Sequence, residues 1–557
     1  MGGDHARPPQ CSILKPLRSH IAFLLSVNLA LIASVVGCDS SIQGALLENK
    51  PPETQLSIQD ESLLDNFEEG DRLISTVRVT WFGDDSDGFV SGYEVRFFVE
   101  SLGDSQAEWQ FTGQTDSLFL LPILPGEIIS DVVFEVRAID NESLADPTPA
   151  RTIFPIENSP PEIKLSLFDL PPDTTFNVIS FAWTASDPDG ENNLKQIDIS
   201  LNDSLNFTAI PPEVDFLTLL VDSVSPGTVG ETNARVFLGR GFESTGINMS
   251  GMKLNEVNTL YLRSVDQTDT TSTRIEFSWY MKAKTADVLY VNDYRRAANS
   301  VIRAGHLNIL SDFMPIGMPI DIWNITTPFV TGTSGNTPRS GLLPPNVQPT
   351  LEQFFAGYSY IYWVTSASTD RIATNNLPFA APVMDLFFAN GGKLMVHSLI
   401  GMPPDPTQIL ENAAAVMMPM TDLVTFPDSL RPSLRLATGG VISAGGRTLP
   451  STSQPLPELK SAAFLVNTLP FVATGSNIIP LYEADYRYVT RLGSRQGPWF
   501  GSSVVASLSA DQRIGLFALP LFNDQTGASL ITGANGDDAD VELALNLILE
   551  SLGFPKR

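Results

Sequence analysis

The chain has 557 residues, only two cysteines and a formal net charge of -29 at pH 7. This much negative charge repels a phosphate backbone, so nucleic acid is excluded as a partner. Hydrophobic residues make up 43% of the chain, which is enough for several domain cores, and 41 prolines indicate many loops and strand edges.

The first 37 residues have the layout of a secretory signal. A short basic stretch precedes an apolar run from Ile21 to Val36. This run is shorter than a typical transmembrane helix, and it ends in small residues. The sequence "VVGC" at 35–38 follows, and it resembles the lipobox of bacterial lipoproteins. The resemblance implies a cleaved lipoprotein signal peptide at residues 1–37, a diacylglycerol on the Cys38 thiol and a linker at residues 38–50. The alternative is an uncleaved anchor whose last turn happens to hold a cysteine.

The cysteine usage fits an exported chain that is held together by its cores. Cys11 lies in the segment that would be removed, so the mature chain would keep only the acylated Cys38. A disulfide, a Cys nucleophile and a zinc cluster of thiolates are then all excluded. We expect a lipid-anchored protein of the bacterial cell envelope, at the outer membrane or cell surface rather than the inner membrane.

Two segments of the chain repeat one pattern. One begins "PPETQLSI" at residue 51 and the other "PPEIKLSL" at residue 160, and each continues into a strand-like run that ends in Trp and an acidic turn. Four residues of the first segment recur in the second at a spacing of 102 positions. Trp81, Asp85, Asp87 and Gly88 correspond to Trp183, Asp187, Asp189 and Gly190. Apolar and polar residues alternate with a period of two, which predicts a sandwich of antiparallel strands for each copy.

Both copies resemble fibronectin type III domains. The matching features are the proline-rich start, the Trp in the second strand, and the late strands "FEVRAID" and "LYLRSVD". The resemblance implies two all-β, immunoglobulin-like sandwiches at residues 51–157 and 158–284. Alternation in "FEVRAID" predicts that Glu135 and Arg137 face solvent.

The acidic turns suggest a calcium site in the first copy. In such a sandwich, the turn after the Trp strand and the turn after "FEVRAID" lie at the same end. Asp85 and Asp87 would then approach Asp140 and Glu142, and converging carboxylate oxygens suit Ca²⁺. The alternative is that Asp and Gly are present because tight turns need them.

From residue 285 to residue 557 the pattern changes to apolar strands that alternate with helices. "DVLYVND", "PIDIWNI", "YSYIYWVTS", "KLMVHS" and "RIGLFALPLF" predict strands, and Val541, Leu545, Ile548 and Leu552 share one face of a final helix. The pattern predicts an α/β domain with a mostly parallel sheet, so the chain is multidomain. Residues 401–459 form an insertion rich in Pro, Ser, Thr and Gly, which we expect to be either a lid over the strand ends or disordered.

This last region resembles the class I glutamine amidotransferase-like fold and its flavodoxin-like relatives, through "VLYVNDY", "NGGKLMVHS" and "RIGLFALPLFN". Enzymes of that family use a Cys on a Gly-flanked turn and a later His. Here Val396 stands where the turn needs Gly, and the late strand closes at residues 519–521 without a His. The resemblance therefore implies the scaffold without the catalytic Cys and His, and no catalytic residue is predicted.

Ligands of open α/β sheets bind beyond the carboxyl ends of the strands. The residues that the sequence places there are Asn292, Asp293, Arg295, Trp363, Ser366, His397 and Ser398, with Trp499 as a further aromatic. His397 and Ser398 are adjacent, so on a strand they point to opposite faces, a poor arrangement for proton transfer. His306 lies in the predicted first helix. The alternative for His397 is a packed residue at a strand end.

Three functions remain open. The preferred interpretation is a non-catalytic envelope protein whose sandwiches act as spacers and present the α/β domain to a small ligand, a glycan or an envelope protein. The second is an envelope hydrolase that uses the strand-end edge. The third is a purely structural surface or assembly component. No cofactor is expected apart from calcium.

Overall fold

The computed structural model describes residues 48–58, 75–124, 126–167, 169–171, 173–222, 224–225, 228–294, 299–325, 349–365, 376–400, 417–424, 434–466, 468–490 and 495–557. Cys38, Arg295 and Ser366 lie outside the described residues, and so do the predicted signal peptide and most of the linker. Within the described ranges, no helix combines the length and the apolar character needed to cross a membrane.

The first sandwich consists of two antiparallel sheets. Its strands are β1 (Glu53–Ile58), β2 (Thr76–Asp84), β3 (Val90–Val99), β4 (Gln110–Thr112), β5 (Asp116–Leu120), β6 (Ile129–Asp140) and β7 (Ala150–Glu157), with a 3₁₀ turn at Glu100–Leu102. One sheet has the order β1-β2-β5 and the other the order β4-β3-β6-β7. Val77, Val79 and Trp81 of β2 are buried, and Trp81 packs edge-on against Tyr93 across the core.

The outer face of β6 departs from the prediction. Glu135 is only 8% exposed and pairs with Arg96 at 2.7 Å, while Arg137 pairs with Glu94 at 2.6 Å. The Trp109 ring lies over both guanidinium groups, at 4.4 and 4.3 Å. Glu135 is therefore not left to solvent, because arginine side chains and an indole ring cover this face.

The second sandwich repeats this arrangement with additional strands. They are β8 (Glu162–Leu165), β9 (Thr174–Thr175), β10 (Val178–Ser186), β11 (Leu194–Leu201), β12 (Thr208–Ile210), β13 (Phe216–Leu220), β14 (Gly230–Leu238), β15 (Glu243–Leu254), β16 (Glu256–Asp266) and β17 (Ile275–Met281), with a 3₁₀ turn at Glu191–Asn193. The sheets have the orders β15-β14-β13-β10-β8 and β12-β11-β16-β17-β9. The β14–β15 hairpin extends the first sheet beyond β13, and it accounts for the greater length of this copy.

The rest of the chain combines helices with many short strands. The elements are β18 (Val288–Asp293), α1 (Asn299–Phe313), β19 (Asp321–Asn324), α2 (Thr350–Ala356), β20 (Tyr360–Thr365), α3 (Leu377–Ala380), a 3₁₀ turn (Ala381–Val383), α4 (Asp385–Ala389), β21 (Lys393–Ser398), β22 (Asp422–Leu423), β23 (Leu434–Leu436), β24 (Val441–Ser443), β25 (Leu459–Ser461), β26 (Leu465–Val466), β27 (Phe471–Val472), β28 (Ile478–Ala484), β29 (Tyr486–Val489), β30 (Gln496–Pro498), β31 (Val504–Ser509), β32 (Ile514–Phe517), β33 (Ile531–Gly533) and α5 (Ala539–Leu552).

The main sheet of this region is mixed. Strands β19-β18-β20-β21-β32 pair in parallel, and β31, β28, β24, β25 and β33 continue the sheet with antiparallel pairings. A second sheet has the order β26-β23-β29-β30. The sequence predicts a mostly parallel sheet, but parallel pairing is confined to one end. The difference arises because short strands between residues 434 and 533 add antiparallel neighbours.

The predicted insertion contributes to this antiparallel end. Residues 401–416 and 425–433 lie outside the described part of the chain, but β23, β24 and β25 fall within residues 434–461 and pair with neighbouring strands. This part of the segment therefore forms strands of the two sheets. Its Gly and Pro residues occupy the turns between very short strands, which leave no periodic signal in the sequence.

The second sandwich and the region after it share one apolar core. Phe176 and Val178 belong to the same buried cluster as β18 and α2, and Phe176 lies 5.6 Å from Phe354. The Thr350 hydroxyl in α2 donates to the Ser180 hydroxyl in β10. The two units therefore pack directly against each other.

A buried carboxylate fixes the chain where these two units join. Asp321 is 6% exposed and accepts hydrogen bonds from the Thr285 hydroxyl at 2.9 Å and the Thr285 backbone N–H at 3.0 Å. The backbone N–H of Ala286 and the hydroxyl of Tyr358 also donate to Asp321, each at 3.2 Å. Four donors compensate the cost of burying this charge.

Candidate functional site

The side chains at the carboxyl ends of the parallel strands divide between the two faces of the sheet. Tyr290 pairs in register with Tyr362, and Val364 pairs with His397, so these residues lie on the face that α1 covers. Trp363 belongs to the opposite face, where it packs against Phe355 of α2. The predicted site residues therefore do not form one cluster.

Asp293 and Trp363 do meet, but inside the protein. Asp293 and Trp363 are both fully buried, and the indole Nε1 donates to Asp293 Oδ2 at 3.4 Å. The backbone N–H and the side-chain amide of Asn376 donate to the same carboxylate, each at 2.6 Å. Asp293 thus ties the start of α3 to the end of β18, and the Trp363 ring is enclosed in the core rather than offered to a ligand.

Asn292 lies on the α1 face and is also buried. Its amide donates to Asn324 Oδ1 at 3.0 Å and to Asn299 Oδ1, while its own Oδ1 has no hydrogen-bond partner. The hydroxyl of Tyr290, on the same face, is likewise buried without a partner, and burial raises the pKa of this tyrosine. This part of the face keeps polar atoms unsatisfied, which is uncommon in a folded core.

The structure brings together two histidines that the sequence does not connect. His306 of α1 lies over His397 of β21, with ring centroids 4.6 Å apart and an edge-to-face arrangement. His306 Nδ1 lies 3.1 Å from the hydroxyl of Tyr362. Both ring nitrogens of His397 are buried without a hydrogen-bond partner, and this residue is 4% exposed.

Both imidazoles are neutral at neutral pH. Burial lowers the pKa of His306 to about 3, and burial together with the neighbouring His306 lowers the pKa of His397 well below its usual 6.5. A neutral imidazole carries one N–H donor and one bare acceptor nitrogen. His397 therefore offers one donor and one acceptor that nothing in the described protein uses.

A pocket opens at this point. Its cavity volume is about 30 Å³, it is partly open to solvent, and it lies at the carboxyl ends of β20, β21 and β32. The lining residues are Tyr294, Ile302, His306, Val364, Thr365, His397, Leu399, Leu519, Pro520, Leu521 and Phe522. Among the described residues, the lining has no acidic side chain, lysine or arginine, so the cavity is mainly apolar with a few polar atoms, a composition that small-molecule sites share.

The remaining predicted residues lie beside this pocket or away from it. Ser398 is 3% exposed and pairs in register with Thr365, so it points away from His397 across β21. Trp499 packs at the antiparallel end, where its Nε1 donates to the Ser502 carbonyl at 2.9 Å. The sequence signal for His306 was weak: it is one of only two histidines outside the predicted signal peptide.

In the first sandwich, the acidic turn forms hydrogen bonds with the segment that leads into the domain. The side-chain amide of Asn49 donates to Asp140 Oδ2, and the backbone N–H of Lys50 donates to Asp87 Oδ2 at 3.1 Å. Asp140 Oδ1 also accepts the backbone N–H of Leu144 at 2.8 Å. These carboxylates serve as hydrogen-bond acceptors for the backbone and for the entering segment.

The second sandwich repeats these contacts at its junction with the first. Asn158 donates to Asp266 Oδ2 at 2.6 Å, and the backbone N–H of Ser159 donates to Asp189 Oδ2 at 2.5 Å. The hydroxyl of Ser75, from the first sandwich, donates to Asp189 Oδ1 at 2.6 Å. The sequence signal for these contacts is an Asn two residues before each proline pair, in "NKPPE" and "NSPPE".

The predicted calcium ligands Asp85, Asp87, Asp140 and Glu142 do not converge as expected. Glu142 is exposed and contributes its backbone N–H to Asp140 Oδ1 at 2.8 Å, although Asp85 Oδ2 is buried without a partner. Over the described part of the chain, no group of three or more His, Cys, Asp or Glu residues is placed to hold a metal ion. The difference arises because N–H donors occupy carboxylate oxygens that a cation would need.

Comparisons with known proteins bear on the sandwiches alone. No family model matches the chain. No curated protein matches it. Solved structures that resemble it include the fibronectin(III)-like modules of Clostridium thermocellum CbhA, with 13% identity, a TM-score of 0.16, and coverage of 41% of this chain and 95% of that one.

Two chicken proteins show the same likeness. A segment of two fibronectin type III domains from tenascin has 13% identity and a TM-score of 0.18, and it covers 42% of this chain and 99% of that one. The FN1-FN3 domains of CNTN1 have 12% identity and a TM-score of 0.15, and they cover 41% of this chain and 98% of that one. Likenesses this distant say nothing about what the protein does.

Proposed function

We propose that this protein is a lipid-anchored component of the bacterial cell envelope, in which two fibronectin III-like spacers present a C-terminal α/β domain that binds a small ligand without catalysis. The observation that carries the binding role is the buried, unpartnered imidazole of His397 in an apolar pocket at the strand ends. A buried donor left unpaired costs about 1–3 kcal/mol, a cost that a bound ligand would remove.

The anchor rests on the first 38 residues of the sequence. Intact-protein mass spectrometry of the membrane fraction tests it directly. We expect a chain that begins at Cys38 and carries a diacylglyceryl adduct, and we expect Cys38→Ser to abolish the adduct while Cys11→Ser leaves it unchanged. Recovery of intact Met1 without an acyl adduct would contradict the anchor.

The α/β domain assignment is supported by the order of the parallel strands. Numbered along the chain, the five parallel strands lie in the order 2-1-3-4-5, which is the order of flavodoxin-like folds. The amidotransferase-like scaffold is proposed on the same basis, without its chemistry. Leu519 and Leu521 line the pocket as apolar side chains where that family has a His.

The hydrolase alternative has no comparable support. Ser398 and His397 lie on opposite faces of β21 and are both buried, so the imidazole does not reach the Ser398 hydroxyl. A reactive-serine probe should therefore leave Ser398 unlabelled. Labelling of the wild-type protein that is lost in Ser398→Ala would favour the hydrolase instead.

Blocking the pocket tests the binding role. Leu399 is half-buried at its rim, so Leu399→Trp should fill it, whereas Leu118→Trp on the first sandwich adds the same ring at a site that is already 64% exposed. A thermal-shift screen with a library of small uncharged organic molecules should find molecules that raise the Tm of wild type and of Leu118→Trp. The same molecules should not raise the Tm of Leu399→Trp. Equal stabilisation of all three proteins would contradict binding in this pocket.

A further inference from the structure

We propose that the pocket selects a small, uncharged and largely apolar molecule that carries one hydroxyl or carbonyl oxygen, which hydrogen-bonds to the ring of His397. This inference rests on the proposed binding function and specifies the ligand class. It combines the geometry of the two histidines, the composition of the pocket walls and the space available.

The polar requirement comes from His397. Its ring touches Tyr362 and Phe517 as well as His306, with ring centroids 4.9, 5.9 and 4.6 Å away, so aromatic neighbours hold its orientation. Both ring nitrogens nevertheless lack a partner, while His306 Nδ1 faces the Tyr362 hydroxyl. An oxygen in the pocket would satisfy His397 without displacing an existing hydrogen bond.

The charge requirement comes from the lining. None of the described lining residues carries a formal charge at neutral pH, since both histidines are neutral and the remaining side chains are aliphatic, aromatic or hydroxyl-bearing. A carboxylate or an ammonium group would have to shed its water with no opposite charge to receive it. Charged molecules are therefore disfavoured, whichever sign they carry.

The apolar requirement comes from the walls. Ile302, Val364, Leu519, Leu521 and Phe522 are the apolar residues that line most of the pocket. Phe522 is fixed by close packing, because an added Cβ on Gly305 of α1 would lie 2.5 Å from its ring. The cavity is small, about 30 Å³, so the ligand has to be small as well.

Three probes separate these requirements: phenol, benzene and benzoate have the same ring and differ in the hydroxyl and the charge. Each is titrated into the full-length protein with ¹⁵N-labelled histidine, and the ring ¹⁵N signals are assigned with His306→Asn and His397→Asn. Phenol should shift the His397 ring signals and bind about tenfold more tightly than benzene, the effect of one net hydrogen bond of about 1.4 kcal/mol. Benzoate should leave these signals unchanged.

His397→Phe is the decisive variant. It keeps an aromatic ring beside Tyr362 and removes both nitrogens, so the preference for phenol over benzene should fall to about one while benzene still binds. If His397→Phe fails to fold, Gly305→Ala replaces it: displacement of Phe522 into the pocket should weaken phenol and benzene alike.

The outcomes distinguish this inference from the proposed function. If benzoate shifts the His397 signals and phenol does not, the ligand class is wrong although the pocket binds. If phenol and benzene bind equally to wild type, the hydrogen bond to His397 is wrong. If none of the probes changes the ring signals, the inference is overturned, and the screen with Leu399→Trp then decides separately whether the pocket binds anything.

Discussion

Acidification should destabilise this protein well above the pH at which carboxylates titrate, because two histidines are buried in their neutral form. The pKa of His306 falls from its usual 6.5 to about 3 on folding, so below pH 6.5 the unfolded chain binds a proton that the folded chain does not. Stability therefore decreases as the pH falls below 6.5, and it continues to decrease until the pH nears the folded pKa.

The size of the effect follows from this shift. Between pH 8 and pH 5, His306 alone should lower the free energy of unfolding by about 2 kcal/mol. The pKa of His397 is lowered in the same direction, so it adds to the loss. Burial raises the pKa of Asp187, so its carboxyl group binds a proton more readily in the folded chain than in the unfolded chain. Asp187 therefore opposes the loss of stability, but only at the acidic pH at which this carboxyl group titrates.

Urea unfolding followed by circular dichroism at pH 8 and pH 5, at constant ionic strength, measures the difference. His306→Phe is the matched variant. It leaves the Tyr362 hydroxyl without its partner, so it should be less stable at both pH values, but its difference between pH 8 and pH 5 should shrink by about 2 kcal/mol. An undiminished difference in His306→Phe, or a wild-type protein equally stable at both pH values, would refute the reasoning.

Three further substitutions test other parts of the structure. Asp321→Asn should lower stability by about 1–3 kcal/mol, since several donors around this buried carboxylate lose a charged acceptor. Asp312→Asn, at a side chain that is 74% exposed and pairs with an exposed arginine, should change the Tm little. Asn158→Ala should increase proteolytic cleavage between the two sandwiches, because it removes the hydrogen bond to Asp266. Asn49→Ala removes the equivalent contact at the start of the first sandwich, so cleavage between the sandwiches should stay at the wild-type level. Gly553→Ala should cost about 1 kcal/mol by thermal denaturation, because Gly553 ends α5 at a φ of 82°; no loss of Tm would contradict this account of the cap.

The sequence predicts the sandwich cores well because their signal is local. Alternation in β2 and β6 places Val79, Trp81 and Phe134 inside, and all three are buried. The burial of Glu135 could not be read in the same way. It depends on Arg96, which comes from another strand, 39 residues earlier in the chain.

The candidate site was predicted only in part for a related reason. The strand-end position of His397 follows from the pattern of apolar strands, but its contact with His306 depends on how α1 packs across the sheet. Trp363 and Asp293 lie in neighbouring strands, and the sequence did not reveal that they form a hydrogen bond with each other in the core. The antiparallel end was missed because strands such as β24 and β25, with three residues each, are too short to show a period.

The shared core between the second sandwich and α2 determines how this protein can be divided for experiments. A fragment that starts at residue 285 would expose Phe354, which the folded protein keeps 4% exposed and packs beside Phe176. Such a fragment would expose a hydrophobic surface and aggregate for reasons unrelated to ligand recognition. A fragment that starts near residue 158 keeps this face covered, so it is the smallest piece on which recognition can be measured cleanly.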